Sequence, residues 1–388
     1  MKAGIYLDNH STTPVDPQVL EAMLPFFTQR FGNPASQSHA YGWDAGKAVD
    51  QARQQVAQAI GATPIEIYFT SGATESINLA LKGAAEMYRS KGRHIVIVAT
   101  EHNAVLDTCA ALRPAGFEIT VLPVKPDGHI DMEVFGASFR SDTILACVMH
   151  ANNETGVIHD IGQAGAICRA NGVFLMVDAA QSVTKVPVDV DAMKVDLLAL
   201  SGHKFYGPKG VGALYVRRKG PQIRLVPQIH GGGHERGLRS GTLPTPLIVG
   251  LGKAIEMGVD LMESESARIL RLRERLIDGI QSGVSGVELN GDRNRRLAGN
   301  ANLTFLDLDG AALLAGLSSL SVSSGAACSS AEVKPSHVLK AMGRTDELAN
   351  ASIRFGIGRF NSESDIDQAV KLVIENVKRL RKRRLDAT

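Results

Sequence analysis

Lys204 lies in Ser201-Gly202-His203-Lys204-Phe205-Tyr206-Gly207-Pro208-Lys209-Gly210, directly after the apolar run Leu197-Leu198-Ala199-Leu200. A lysine that forms a Schiff base needs a rigid seat, a neutral amine and anion-binding groups close by, and the hydroxyl, imidazole and glycines around Lys204 supply that setting. The spacing G-x-x-x-x-G-K-[ST] of a nucleotide loop is missing. Read alone, a lysine after a strand is a surface residue. Asp178 shifts the balance, because it ends a second apolar run, Val173-Phe174-Leu175-Met176-Val177. A buried carboxylate needs a cationic partner, and a protonated pyridine nitrogen would be one; a helix N-cap is the alternative role for Asp178. In Phe69-Thr70-Ser71-Gly72-Ala73-Thr74-Glu75 a strand, a glycine turn and a helix start follow in order. Free N–H groups from Ala73 onward and the helix dipole would face an anion, with the Thr74 hydroxyl as a further donor, although many helices begin this way. His102, in Ala99-Thr100-Glu101-His102-Asn103, could stack on a flat ring and transfer protons near neutral pH; a surface-loop histidine is the alternative. An amine, a ring-facing carboxylate, a phosphate seat and a stacking imidazole together describe a site for pyridoxal 5'-phosphate (PLP).

These groups fall at the ends of short apolar runs: 65–69, 94–98, 119–122, 144–148, 173–177, 197–200 and 212–216. Runs this short and unalternated suit strands buried on both faces of a mostly parallel sheet. Helical patterns at 76–91, 105–115 and 162–171 lie between them. The order predicts a doubly wound α/β domain with its functional groups at the carboxyl ends of the strands. After Gly250 the pattern changes to a long charged helix over 254–282, strands at 302–306 and 352–355, and a final helix from Asp365, which read as a smaller α+β domain. A large domain is expected over 16–256, and a small one from 1–15 with 257–388.

The chain has 388 residues, 44% hydrophobic and 21% charged, enough for two lobes with sizeable cores. Its 42 Lys+Arg against 40 Asp+Glu give +2, which argues against a dedicated nucleic-acid binder. The basic run Lys378-Arg379-Leu380-Arg381-Lys382-Arg383-Arg384 suits a solvated helix end facing the dipole, with a docking surface for an acidic partner as the second reading. Cys109, Cys147, Cys168 and Cys328 form no CxxC pair, so no metal site is expected. With no signal peptide and no apolar stretch long enough to span a bilayer, a soluble, cytoplasmic, thiol-reduced protein is expected. Cys328 stands apart in LSSLSVSSGAACSS, residues 317–330, where small polar neighbours favour a mobile loop. The other three cysteines read as buried small hydrophobes.

Thr100-Glu101-His102-Asn103, Asn152-Asn153-Glu154-Thr155-Gly156, Ser201-Gly202-His203-Lys204, Arg239-Ser240-Gly241-Thr242 and Ser324-Gly325-Ala326-Ala327-Cys328 make the chain resemble the cysteine desulfurases. The resemblance runs nearly end to end, from Tyr6-Leu7-Asp8-Asn9 to Arg354-Phe355. It implies a fold-type-I PLP-dependent transferase that removes sulfur from L-cysteine, releases L-alanine and leaves a persulfide on Cys328. By resemblance Lys204 carries the cofactor and moves the Cα proton, Asp178 pairs with the ring nitrogen, Gln181 contacts the ring hydroxyl and His102 stacks on the ring. Ala73, Thr74, Ser201 and His203 hold the phosphate, joined by Thr242 from the neighbouring subunit of a homodimer. Asn153 and Arg354 bind the substrate carboxylate. The long cysteine loop resembles the form that hands sulfur to an iron–sulfur scaffold protein. The start, Asp8-Asn9-His10-Ser11, departs from the family, where alanine or tyrosine often stands at His10 or Asn9, with no change of chemistry expected. The chain ends soon after the basic helix, so docking of a scaffold through a longer tail is not expected. The rivals are a selenocysteine lyase or aminotransferase of the same fold, which would not need Cys328, and a non-catalytic sulfur carrier, which would not need Lys204.

Overall fold

The computed structural model describes residues 4–324 and 334–386; Cys328 lies outside the described residues. A short strand β1 (Ile5–Tyr6) precedes β2 (Ile67–Thr70), β3 (His94–Val98), β4 (Glu118–Leu122), β5 (Thr143–Met149), β6 (Phe174–Asp178), β7 (Leu197–Ser201) and β8 (Gly212–Val216). The last seven form one sheet in the order β2-β8-β7-β6-β5-β3-β4. Pairing is parallel from β7 to β4, and β8 runs antiparallel to both of its neighbours. Alternate residues serve opposite faces: Val96 and Val98 join one apolar cluster, Ile95 and Ile97 the other. This two-sided burial accounts for the unalternated apolar runs. A third cluster forms around β9 (Val287–Leu289), β10 (Asn300–Phe305) and β12 (Ser352–Gly356), an antiparallel sheet in the order β12-β10-β9. The segment β11 (Leu320–Ser321) pairs with β1 and draws the N-terminus into this part.

The strand expected at 65–69 begins at Ile67, because Thr63 and Glu66 form a capping box around Pro64 and hold 64–66 as a 3₁₀ turn. The long helix begins at Thr245 rather than 254 and runs to Gly283. Its first half packs on a helix that the sequence pattern does not reveal, α1 (Ala40–Ala59), and a Cβ at Gly252 would come within 2.8 Å of Ala52. Gly252 thus permits close helix contact. Its second half buries Leu272, Leu276, Ile277 and Ile280 in the third cluster, so one helix belongs to both cores.

The outer edge of β2 is closed by side chains. Arg53 forms a buried bidentate pair with Glu235 at 2.6 and 2.8 Å, Glu235 accepts the Phe69 N–H at 2.6 Å, and Arg53 donates to the Ile67 carbonyl at 2.8 Å. These bonds satisfy an edge that would otherwise offer unpaired backbone groups, and they fix the segment leading to Arg239 and Thr242. Among the described residues no helix is long and apolar enough to cross a membrane.

Candidate active site

A cavity of about 540 Å³ opens at the carboxyl ends of the parallel strands, where doubly wound sheets place their ligands. It is lined by Ala73, Thr74, His102, Asn153, Asp178, Gln181, Ser201, His203, Lys204 and Arg354. Every described residue picked from the sequence is therefore present except Thr242. Thr242 is exposed outside this lining.

Asp178 ends β6 and is 5% exposed. Its Oδ1 accepts the Ala180 N–H at 2.9 Å, the one hydrogen bond to this carboxylate among the described residues. Burial raises its pKa, while that hydrogen bond and the nearby His102 and Lys204 oppose the rise. A carboxylate so enclosed calls for a cation in the cavity, which a protonated ring nitrogen would provide. His102 caps α2 (Asn103–Leu112), its Nδ1 accepting the Ala104 N–H at 3.0 Å, so the neutral ring carries its proton on Nε2. Burial lowers its pKa against the pull of Asp178, although one side of the ring remains open at the cavity. A neutral imidazole with one open face suits stacking.

A candidate anion seat is built by Gly72, whose φ of 152° is open only to glycine. It begins the helix Ala73–Tyr88, whose first N–H groups point into the cavity by the geometry of a helix start. Ser201 lies close behind, its Oγ 3.4 Å from where a Gly72 Cβ would stand. The His203 Nδ1 lies 3.0 Å from the Thr12 hydroxyl. Burial, with Lys204, Lys209 and Lys185 nearby, pushes His203 down to about 4, so it serves as a neutral hydrogen-bonding group. Arg239 pairs with Glu75 in the first turn of this helix at 2.7 and 3.1 Å. An anion seat, an enclosed carboxylate and a ring-facing imidazole around one lysine fit PLP.

Lys204 follows β7, and its Nζ donates to the carbonyls of His10 and Ser11 at 2.9 and 2.6 Å. Arg354, on β12, is 3% exposed. Its Nη1 donates to the Asn153 carbonyl at 2.8 Å and its Nη2 to Asp8 Oδ1 at 2.7 Å, while Nε meets no partner among the described residues. A guanidinium in this position can accept a substrate carboxylate from the cavity side. Cys109, Cys147 and Cys168 are buried, as expected, and burial raises the pKa of each thiol.

Two of the sequence motifs are largely braces. Asn152 Oδ1 accepts the N–H groups of Glu154 and Thr155 at 2.9 and 2.8 Å, and its Nδ2 donates to the Thr100 carbonyl at 3.0 Å. This tight turn projects Asn153 into the cavity. Glu101 is enclosed and accepts the Met149 N–H at 2.6 Å; burial raises its pKa well above the usual value. Lys185 and Lys209 escaped the sequence reading. Lys209 lines the cavity, and Lys185 stands behind Gln181, four residues along a turn that carries no motif.

The family description "Aminotransferase class-V" matches residues 5–369. The cysteine desulfurase IscS of Aeromonas hydrophila subsp. hydrophila is 55% identical over 383 residues, covering 98% of this chain and 94% of the relative. That of Anaeromyxobacter sp. (strain Fw109-5) is 55% identical over 381 residues, with the same coverage. Among solved structures, a NifS-like protein aligns with a TM-score of 0.90 at 35% identity, covering 97% of this chain and 100% of that one. A structure described as SspA in complex with cysteine aligns with a TM-score of 0.82 at 38% identity, covering 92% and 100%.

Proposed function

The chain belongs to the class-V aminotransferase family and is a PLP-dependent cysteine desulfurase, and from that premise we propose how its residues divide the work. Bound PLP supplies an electron sink for the pair left at the substrate Cα. Lys204 carries the cofactor and moves the Cα proton. Asp178 holds the ring nitrogen protonated, His102 covers the ring, and Gln181 contacts the ring hydroxyl. Ala73, Thr74, Ser201 and His203 hold the phosphate, and Thr242 reaches it from the partner subunit of a homodimer. Arg354 and Asn153 bind the carboxylate of L-cysteine and turn its side chain toward the incoming nucleophile.

The thiolate of Cys328 attacks the substrate sulfur. An S–S bond forms on Cys328, the substrate C–S bond breaks with its electron pair staying on Cβ, Cβ takes up a proton, and return of the Cα proton by Lys204 releases L-alanine. The persulfide then passes to an acceptor protein, an iron–sulfur scaffold in the cytoplasm. The large unit is assigned to 16–256, and the small one, which carries Cys328, to 1–15 with 257–388. The observation that carries this reading is the convergence of Lys204, Asp178, His102 and Arg354 on one cavity.

The test is mass spectrometry after incubation with L-cysteine, where the peptide containing Cys328 should gain one sulfur atom. Cys328→Ala should abolish sulfide release and keep the cofactor absorbance. Full activity in that variant would refute the assignment of the nucleophile.

A further inference from the structure

Behind the ring-facing wall of the cavity stands a lysine that neither the sequence motifs nor the reaction above use. The Lys185 Nζ donates to Gln181 Oε1 at 3.0 Å, and Gln181 Nε2 donates to the His10 carbonyl at 2.7 Å. That same carbonyl accepts Lys204 Nζ at 2.9 Å. An ammonium has donors only, so the atom it meets must be the amide oxygen, and the NH₂ group must face His10 and the cavity. His10 Nδ1, 3.2 Å from the same oxygen, must likewise donate. Two donors therefore hold the amide in one orientation.

This arrangement is held at a cost to the fold. Among the described residues no carboxylate comes within ion-pair distance of the Lys185 ammonium, and burial, with Lys204 and Arg354 nearby, lowers its pKa to about 7. A half-buried cation with a single neutral acceptor is poorly compensated. The preceding residue, Thr184, has φ 66°, a left-handed conformation that a β-branched residue avoids. The turn fits tightly under the long helix, where a Cβ at Gly258 would come within 2.6 Å of Thr184. Strain beside a half-buried, poorly compensated charge is a feature that functional sites retain.

We propose that Lys185 is a positioning residue for the cofactor: it locks the Gln181 amide so that Gln181 meets the ring hydroxyl as a hydrogen-bond donor. This rests on the contact between Gln181 and the ring hydroxyl proposed above. The role is indirect, through Gln181.

The experiment is titration of apoprotein with PLP, followed by absorbance, together with urea unfolding of the same apoproteins. Lys185→Met should weaken PLP binding by about 5- to 10-fold, the worth of one net hydrogen bond. Its apoprotein should unfold at the same urea concentration as wild type or a higher one, because the poorly compensated charge is gone. Gln181→Ala should weaken binding by a similar factor, and the double variant should bind no more weakly than Gln181→Ala. Lys185→Arg, which keeps the donor, should stay within about twofold of wild type. If Lys185→Met does not fold, Lys185→Ala, which likewise removes the donor, carries the same cycle. Wild-type affinity in Lys185→Met, or losses that add in the double variant, would overturn the role of Lys185 and leave the Gln181 contact standing. Wild-type affinity in Gln181→Ala would overturn both.

Discussion

His159 and His150 sit beneath the turn that presents Asn153, and they should make this region fail first in acid. The His150 N–H donates to the Asp178 carbonyl and the His159 N–H to the His150 carbonyl, each at 2.9 Å, so the pair ties the end of β6 to the Asn152 turn. Their rings are buried, and neither nitrogen of His159 nor the Nδ1 of His150 finds a partner among the described residues. Burial, with His129 and His150 adding to it, pushes His159 down to about 3, and burial pushes His150 down to about 4. An unfolded histidine titrates near 6.5, so between there and the folded value the unfolded chain holds more protons. Stability contributed by each neutral ring is complete above about pH 6.5 and is lost as pH falls toward the folded value.

For His159 alone the loss between pH 7 and pH 5 is about 2 kcal/mol, at 1.36 kcal/mol per pH unit across the window. The enclosed carboxyls Glu101, Glu154 and Asp178 act in the opposite direction, because their raised pKa values let the folded state take up protons first. The wild-type curve is a net of both, and the difference between wild type and His159→Phe isolates the imidazole. Urea unfolding at pH 7, 6 and 5 should show the variant losing about 2 kcal/mol less than wild type over that span. Whatever repacking costs at pH 7 cancels in that comparison. Parallel losses in the two proteins would refute the reasoning, because they would mean that the buried ring takes up its proton without disturbing the fold.

Arg354→Lys should raise KM for L-cysteine about 10- to 100-fold, since a point charge cannot reproduce the fork that reaches a carboxylate; PLP titration of the same variant should stay near wild type. Glu235→Ala should cost about 3–5 kcal/mol in urea unfolding, because it strands the buried Arg53 and the Phe69 N–H together. Gly72→Ala forces a Cβ onto a φ of 152° beside Ser201, and the displaced turn should weaken PLP binding about 10- to 100-fold, measured by equilibrium titration.

The sheet was legible because each strand is buried on both faces and reads as an unbroken apolar run, and the site was legible because its groups stand at the ends of those runs. The helix Ala40–Ala59 was not. Apart from Arg53, its buried positions are Gly42, Ala45, Ala48, Val49, Ala52, Val56 and Ala57, small residues that leave a weak apolar stripe. On the long helix Gly252 meets Ala52, while Gly250 packs against Met23 and Pro208, and the helical pattern was read only from 254. Lys185 was illegible for a different reason: its place behind Gln181 depends on the left-handed Thr184, and nothing in the spacing of Gln181-Ser182-Val183-Thr184-Lys185 signals such a turn. Glu101 and Glu154 were visible as parts of motifs, but their bracing role required the contacts themselves.

That bracing role bears on the charge of the cavity. The site must gather a phosphate, a substrate carboxylate and a thiolate, all anionic, around Lys204, Lys209 and Arg354. The loops that carry His102 and Asn153 are nevertheless held by acidic residues: Glu101 on the Met149 N–H, and Glu154 on the Ser336 hydroxyl at 2.5 Å. Were both ionised, they would oppose every anion the site must bind. Enclosure raises the pKa of each, which favours the neutral acid and so lessens the negative charge beside the cavity. Asp178 is raised by the same burial but faces the cavity, where a ring cation can restore its charge. Three buried carboxyls with raised pKa values thus divide into two that brace backbone and side-chain partners and one that faces the cavity, and what separates them is whether the protein leaves room for a cation against the group. Gln in place of Glu101 or Glu154 should therefore be tolerated, with kcat/KM kept within about threefold, whereas Asn in place of Asp178 should cost at least about 100-fold. A large loss in both Gln variants, measured by alanine formation at pH 7, would show that the clamps are charged.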